Sequence, residues 1–248
     1  MLSCFTRCIE MSDMHNQEGV RLNKWIADSG FCSRREADRL IEDKKVTIDG
    51  KPGSLGDRVM PGMKVCVNGK PVVRQNHKVY IALNKPEGVV CTADPREPFN
   101  VIDYVGHRER IFPIGRLDKD SNGLLLMTND GEIVNRILRA AGKHEKEYVV
   151  TVNKPITAEF LRKMSEGVEI LDTVTLPCRI TQEDKCTFRI ILVQGLNRQI
   201  RRMCEALGYR VLTLTRLRIM NINLGRLKPG HWRNLTPAEL QGLMDQLQ

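Results

Sequence analysis

The stretch 115-GRLDKDSNGLLLMTND-130 sets two carboxylates and an arginine directly in front of a run of bare hydrocarbon. Three readings compete for it: a calcium loop, an exposed acidic turn, or a carboxylate held at a cleft for chemistry. Asp118, Asp120 and Asn122 offer oxygens at alternate positions, and Gly123 stands where a calcium loop turns sharply. The twelfth position of such a loop must clamp the ion with a bidentate acid, however, and here it is Asn129. Pro113 and Gly115 also interrupt the helix that should lead in, while Leu124–Leu126 read as buried strand. Asp-x-Asp-x-Asn-Gly is good turn chemistry. Yet apolar residues on both sides (Ile111-Phe112 and Leu124 to Met127) place Asp118 at the edge of a core. With Arg116 two residues away, one short segment supplies both halves of an arginine–carboxylate site.

Outward from this stretch, 79-VYIALNKPEGVVCT-92 is a β-type run broken by Asn84-Lys85-Pro86 and Gly88. The segments 145-EKEYVVTVNKP-155 and 188-FRIILVQGLNRQIRRM-203 are further strand-like runs. Helices are predicted over 131–141, over 157–166 with Thr157 as cap and Gly167 as stop, and from Thr236 with Pro237 at the first position. Strands outnumber helices and do not alternate with them regularly. The expected class is therefore α+β, with a larger, mainly antiparallel mixed-sheet domain over residues 80–248.

A smaller module precedes it. In 21-RLNKWIADSGFCSRREADRLIEDKKVTIDG-50, Leu22, Trp25 and Ile26 form a helical stripe closed by Gly30. Ser33 and Glu36 have the spacing of a capping box for a second helix, which turns Ala37, Leu40 and Ile41 inward. Arg34, Arg35 and Arg39 project from its first turns. Asp49-Gly50 and Asn68-Gly69 are hairpin signals. Residues 20–70 hold eleven Lys+Arg against seven Asp+Glu. The divisions expected are a disordered leader at 1–18, a module at 19–70, a linker at 71–79 and the large domain from 80.

The whole chain has 248 residues, 39 Lys+Arg and 30 Asp+Glu, a net +9 that suits a polyanionic partner. No apolar run is long enough to span a bilayer, and the start lacks the continuous apolar stretch of an export signal, so a cytoplasmic protein is expected. Eight scattered cysteines show no CxxC and no zinc-ligand spacing, and read as reduced, structural thiols; no metal is indicated.

Four ordered motifs carry a resemblance. 115-GRLDKDSNGLLLMTNDG-131 resembles the central motif of the pseudouridine synthases, in the branch that modifies ribosomal uridines. The segments 83-LNKPEGVVCT-92, 144-HEKEYVV-150 and 192-LVQGLNRQIRRMCEALGY-209 are similar to the first, tyrosine and arginine motifs of that branch. The module in front resembles the S4 RNA-binding domain. The likeness spans roughly residues 20 to 235, and within the branch it lies nearest to members acting on 23S rRNA.

The resemblance implies site-specific isomerisation of uridine to pseudouridine. The N1–C1′ bond breaks, the base turns, and it rejoins through C5 after being flipped into a pocket. No cofactor or metal is needed for that. By matching positions, Asp118 is the implied catalytic carboxylate with Arg201 as its ion-pair partner, Tyr148 stacks on the flipped base, and Arg116 reaches into the RNA. Lys24, Arg34, Arg35, Arg39, Asn84, Lys85, Arg198 and Arg202 are the implied RNA contacts, and Arg210, Arg216 and Arg218 extend that basic surface. Expected partners are 23S rRNA, with tRNA as a second candidate. A monomer is expected, without membrane or metal. The chain ends without the Lys-rich tail of some members, so affinity is expected to rest on the S4-like module and the core. The rival readings are a non-catalytic S4-type RNA-binding or ribosome-handling factor and a calcium-regulated binding protein.

Overall fold

The computed structural model describes residues 19–73, 77–138 and 144–247. The leader expected at 1–18 and the last residues of the helix expected to reach 141 lie outside them. The chain separates into two compact units, one ending at Lys78 and the other beginning at Val79.

The first unit runs β1 (Val20–Arg21), α1 (Leu22–Asp28), α2 (Arg34–Glu42), β2 (Val46–Ile48), β3 (Lys51–Pro52), β4 (Arg58–Val59), β5 (Val65–Val67) and β6 (Lys70–Pro71). Four strands pair in the order β3-β2-β5-β6, and β1 pairs with β4. Both hairpin signals hold. Asp49 and Gly50, and Asn68 and Gly69, all adopt positive φ, as the twist-matched two-residue turn requires. Leu22, Ile26, Ala37, Ile41, Val46, Val59, Val65 and Val67 make the core. Ser33 caps α2 by accepting from Glu36 N at 3.1 Å. The glutamate pairs with Arg39 rather than closing the box.

The second unit is built on β7 (Tyr80–Lys85), β8 (Phe112–Pro113), β9 (Asn122–Thr128), β10 (Lys146–Val152), β11 (Glu169–Ile170), β12 (Thr173–Val174), β13 (Arg179–Asp184), β14 (Thr187–Leu192), β15 (Val211–Ile219), β16 (Ile222–Asn223) and β17 (Trp232–Asn234). Its helices are α3 (Val101–Val105), α4 (Gly131–Leu138), α5 (Ala158–Glu166), α6 (Gln199–Ala206) and α7 (Pro237–Asp245). Nine strands form one sheet along β13-β14-β10-β15-β9-β7-β17, with β16 on β15 and β8 on β9. Every pair is antiparallel except β9–β15.

Cross-strand partners share a face of a sheet. One face carries Leu83, Leu125 and Met127 under α3, and Val150, Phe188 and Ile190 under α5 and α6. The opposite face carries Ala82, Leu124 and Leu126 against α4 and α7. Strand β9 is thus buried on both sides from Gly123 onward. That explains why 124-LLLM-127 shows no alternation. The caps at Thr157 and Thr236 form as expected, the latter as a full capping box with Glu239. Burial pushes the Cys178 thiol up to about 11 and Cys204 up to about 12, so both act as packing residues.

Gly123 is the residue on which the parallel junction turns. It sits at φ 104°, and a Cβ there would stand 2.3 Å from Arg216 O and 2.6 Å from Arg216 N. No L side chain fits against that backbone. Gly123→Ala is therefore expected to destabilise by about 3 kcal/mol or more, a fall in Tm of about 6–12 °C for a chain of this size. A thermal melt that moves by less than 2 °C would show that the junction tolerates a side chain.

Candidate active site

The parallel pairing sets Gly123 opposite Arg216, and the antiparallel pairing of β10 and β15 sets Arg216 opposite Tyr148. The segment Arg116–Ser121 therefore enters β9 on the face that carries Tyr148. Its apolar anchor is Leu117, packed in the same cluster as Tyr148 and Ile200. Asp118 is left with a third of its side chain exposed.

Three cations hold this segment by its backbone. Lys85 Nζ donates to Ser121 O at 2.7 Å and to Pro86 O at 2.8 Å. Arg216 Nε donates to Leu124 O at 2.7 Å, and its Nη1 reaches Arg116 O at 3.4 Å. Arg201 Nη2 donates to Asp120 O at 2.6 Å and to Ser121 Oγ at 3.2 Å. Such charge-assisted bonds to carbonyls fix the loop without neutralising its acids.

The carboxylates are met by Arg198. Its guanidinium forks onto Asp120 at 3.2 and 3.1 Å and comes within 3.6 Å of Asp118 Oδ2. Arg198 is the residue before α6 and adopts the left-handed conformation, φ 49° and ψ 34°. That costs a non-glycine residue about 1–2 kcal/mol, a strain of the kind that collects at functional sites. The Arg198 hydrogen bond is the main cause that holds the Asp120 carboxyl below its ordinary range.

These positions correct several expectations. Arg201 is not the ion partner of Asp118. It is spent on the Asp120 carbonyl and Ser121, with Nε lying 3.5 Å from Asp120 Oδ2 and making no hydrogen bond. The neighbouring cation is Arg198, which sequence reasoning had placed on RNA; only its left-handed backbone directs it here. Lys85 and Asn84 are buried and face carbonyls, Asn84 donating to Leu227 O, so neither presents a donor to a phosphate. Arg216 is buried as well, and Arg218 is spent on Glu145 and Glu147, so neither extends the basic surface. Arg202 is held by Asn197.

Other candidates stay accessible. Arg116 is exposed. The Tyr148 ring is buried, its hydroxyl making no hydrogen bond among the described residues. In the first unit, Arg34 and Arg35 are exposed at the start of α2, whereas Arg39 pairs with Glu36 and Lys24 with Asp28. Among the described residues there is no group of three or more His, Cys, Asp or Glu able to hold a metal, and no helix is long and apolar enough to cross a membrane.

Residues 79–206 match the family described as RNA pseudouridylate synthase, and residues 20–65 match the S4 domain. The chain belongs to the RNA pseudouridylate synthase family. The synthase fold thus bears out the α+β expectation with an S4 domain in front, and the chain is an enzyme of that class rather than a non-catalytic S4 factor. Among relatives of this synthase, the dual-specificity RNA pseudouridine synthase RluF of Escherichia coli K12 is 57% identical over 89% of this chain and 77% of its own length. Ribosomal large subunit pseudouridine synthase B of Bacillus subtilis is 37% identical over 90% of this chain and 95% of its own. A crystal structure of a pseudouridylate synthase, 28% identical, superposes with a TM-score of 0.68 over 91% of this chain and all of the other.

The ion pair gives a measurable consequence. Asp120 has a lowered pKa in the folded protein, so its contribution is present above the ordinary carboxylate value, 3.8, and lost as pH falls through the folded value. Both partners are more than a third exposed, which limits the pair to about 1 kcal/mol. Arg198→Gln should melt about 2–4 °C below wild type at pH 7, and the difference should vanish in acid once Asp120 is protonated in the folded protein. Equal melting at both pH values would show that the pair contributes nothing.

Proposed function

We propose that this synthase isomerises a uridine of 23S ribosomal RNA, with Asp118 as the catalytic carboxylate. The observation that carries the reading is the Asp118 loop itself. Its carbonyls are clamped by Lys85, Arg201 and Arg216, while its acid stays partly open to solvent beside Arg198. An acid that must act on a sugar carbon has to be oriented and reachable, and this arrangement supplies both. Arg198 stands 3.6 Å from Asp118 Oδ2, and the backbone clamp fixes the direction of the acid.

The uridine is flipped out of its RNA, since the reacting bond cannot be approached inside a stack. Tyr148, set in β10, is the surface on which the detached base stacks, and its hydroxyl is the group assigned to the C5 proton that must leave at the end. Arg116 occupies the gap the base vacates or braces the backbone. Arg34 and Arg35 of the S4 domain bind phosphates, because they are the cations of α2 that no carboxylate neutralises among the described residues. The relatives named for the large ribosomal subunit and for dual specificity support 23S rRNA as substrate and a second RNA, for which tRNA is the candidate. The cell's cytoplasm is where both occur.

Asp118→Asn should retain the fold and RNA affinity while tritium release from 5-labelled uridine in 23S rRNA falls by at least 1,000-fold. A variant within about tenfold of wild type, a difference of about 1.4 kcal/mol, would remove Asp118 from the mechanism. Arg34→Gln with Arg35→Gln should reduce the slope of log affinity against log salt by about 2, and Lys85→Met should leave that slope unchanged. A slope that responds to Lys85 and not to the arginine pair would reverse the assignment. Pseudouridine mapping in cells with and without the protein identifies the uridine.

A further inference from the structure

The loop 225-GRLKPGHW-232 takes part in none of the roles above. It is pinned to β7 by three hydrogen bonds: Asn84 Nδ2 to Leu227 O at 2.7 Å, Gly230 N to Asn84 O at 2.8 Å and Asn84 N to His231 O at 3.0 Å. On this rigid base two aromatic rings stand in solvent. Trp232 is 39% exposed and is held edge-on by His107, with 5.4 Å between ring centroids. Tyr104 is 45% exposed, with its hydroxyl 3.5 Å from Gly230 O. A Cβ at position 230 would stand 2.4 Å from that hydroxyl, so glycine is what lets the ring lie there.

The charged residues of the loop itself are of one sign. Arg226 and Lys228 are exposed and have no carboxylate partner among the described residues. Of the nearby acids, Asp103 receives a hydrogen bond from Asn100, and Glu109 is faced by Arg108 at 3.9 Å.

Register places this surface beside the site. Trp232 is opposite Leu83, Lys85 is opposite Gly123, and Gly123 is opposite Arg216. Residues 83 and 85 share a face, so Trp232 lies on the face that carries Tyr148. The loop leaves the sheet at the Lys85 end, where the Asp118 segment enters. With strands about 4.8 Å apart, Trp232 is about 10–15 Å from the start of β9, on the order of three or four stacked nucleotides.

We propose that Trp232, Tyr104, Arg226 and Lys228 form a stacking platform for unpaired nucleotides flanking the uridine that enters the site. Fixed aromatic faces with unpartnered cations on the same loop suit single-stranded RNA, whose bases stack while its phosphates are neutralised. A protein partner would find isolated rings amid unpaired positive charge instead of a continuous apolar patch. The platform rests on the synthase reading above and adds a determinant of substrate context to it.

The test uses the full chain. Trp25→Phe leaves Trp232 as the single tryptophan, and its fluorescence is followed with a uridine-containing single-stranded RNA and with a duplex of the same sequence. Quenching by the single strand and not by the duplex is expected. On a 23S rRNA fragment that wild type converts, Trp232→Ala and Tyr104→Ala should each raise KM about tenfold with kcat within twofold, Trp232→Phe should restore KM, and Arg226→Gln with Lys228→Gln should lower the salt slope by about 2. Wild-type turnover with KM and slope unmoved in every variant overturns the platform and leaves the synthase reading standing. A wild type that never converts uridine overturns the synthase reading on which the platform rests. Quenching by the duplex alone, or by neither RNA, assigns the surface to another partner and overturns the platform.

Discussion

The close approach of two backbones at Gly123 and Arg216 is the constraint from which the second unit is organised. It makes β9–β15 the single parallel pair of an otherwise antiparallel sheet. Antiparallel neighbours can exchange a tight turn, but a parallel pair needs a crossover, and this crossover carries α4, β10, α5, α6 and the strands between them. The residues just before β9 and the helix just before β15 are thereby brought together, although about eighty positions separate them in sequence. A carboxylate loop and an arginine helix meet because the sheet closes there. The side chains exploit a proximity that the backbone imposes.

Division of labour among the cations follows from where each can reach. Lys85 and Arg216 are buried, and a buried cation must find acceptors or lose its charge. Both take carbonyls, which cost less to satisfy than a carboxylate whose ionisation the chemistry needs. Burial lowers the Lys85 ammonium's pKa, but nearby Cys91, Glu87, Asp120 and Asp118 favour its charge. Arg198, more exposed and set at the mouth of α6, is left to the acids. Arg201 serves both ends, holding the loop's backbone and adding to the field of Arg198 that lowers the Asp120 pKa.

Much of this was legible in the sequence, and the misses have a common cause. Capping residues, the two hairpin turns and the buried character of β9 depend on neighbours within a few positions, so Thr157, Asn68-Gly69 and 124-LLLM-127 could be read directly. Asp118 and Tyr148 emerged from ordered motifs. The assignments that failed concern arginines and lysines, whose long side chains look alike in one dimension. Whether Arg216 meets a carbonyl, Arg218 a glutamate or Arg198 an aspartate is decided across strands and by one left-handed residue, and local pattern does not contain that information. The calcium loop was rightly set aside on Asn129 and Pro113, but the role Gly123 does play, a close contact with the Arg216 backbone, lies across strands and left no local signal.

The ion pairs on the face opposite Tyr148 have an effect beyond stability. Arg179, Arg189 and Arg218 interlock there with Glu145, Glu147 and Glu183, three charges of each sign. Viewed from a distance that region is nearly neutral, whereas Arg116, Lys119, Arg226 and Lys228 have no carboxylate partner among the described residues. Charges locked in pairs cancel one another's distant field, so a polyanion senses chiefly the cations left over, and the interlocked face is electrically quiet by comparison.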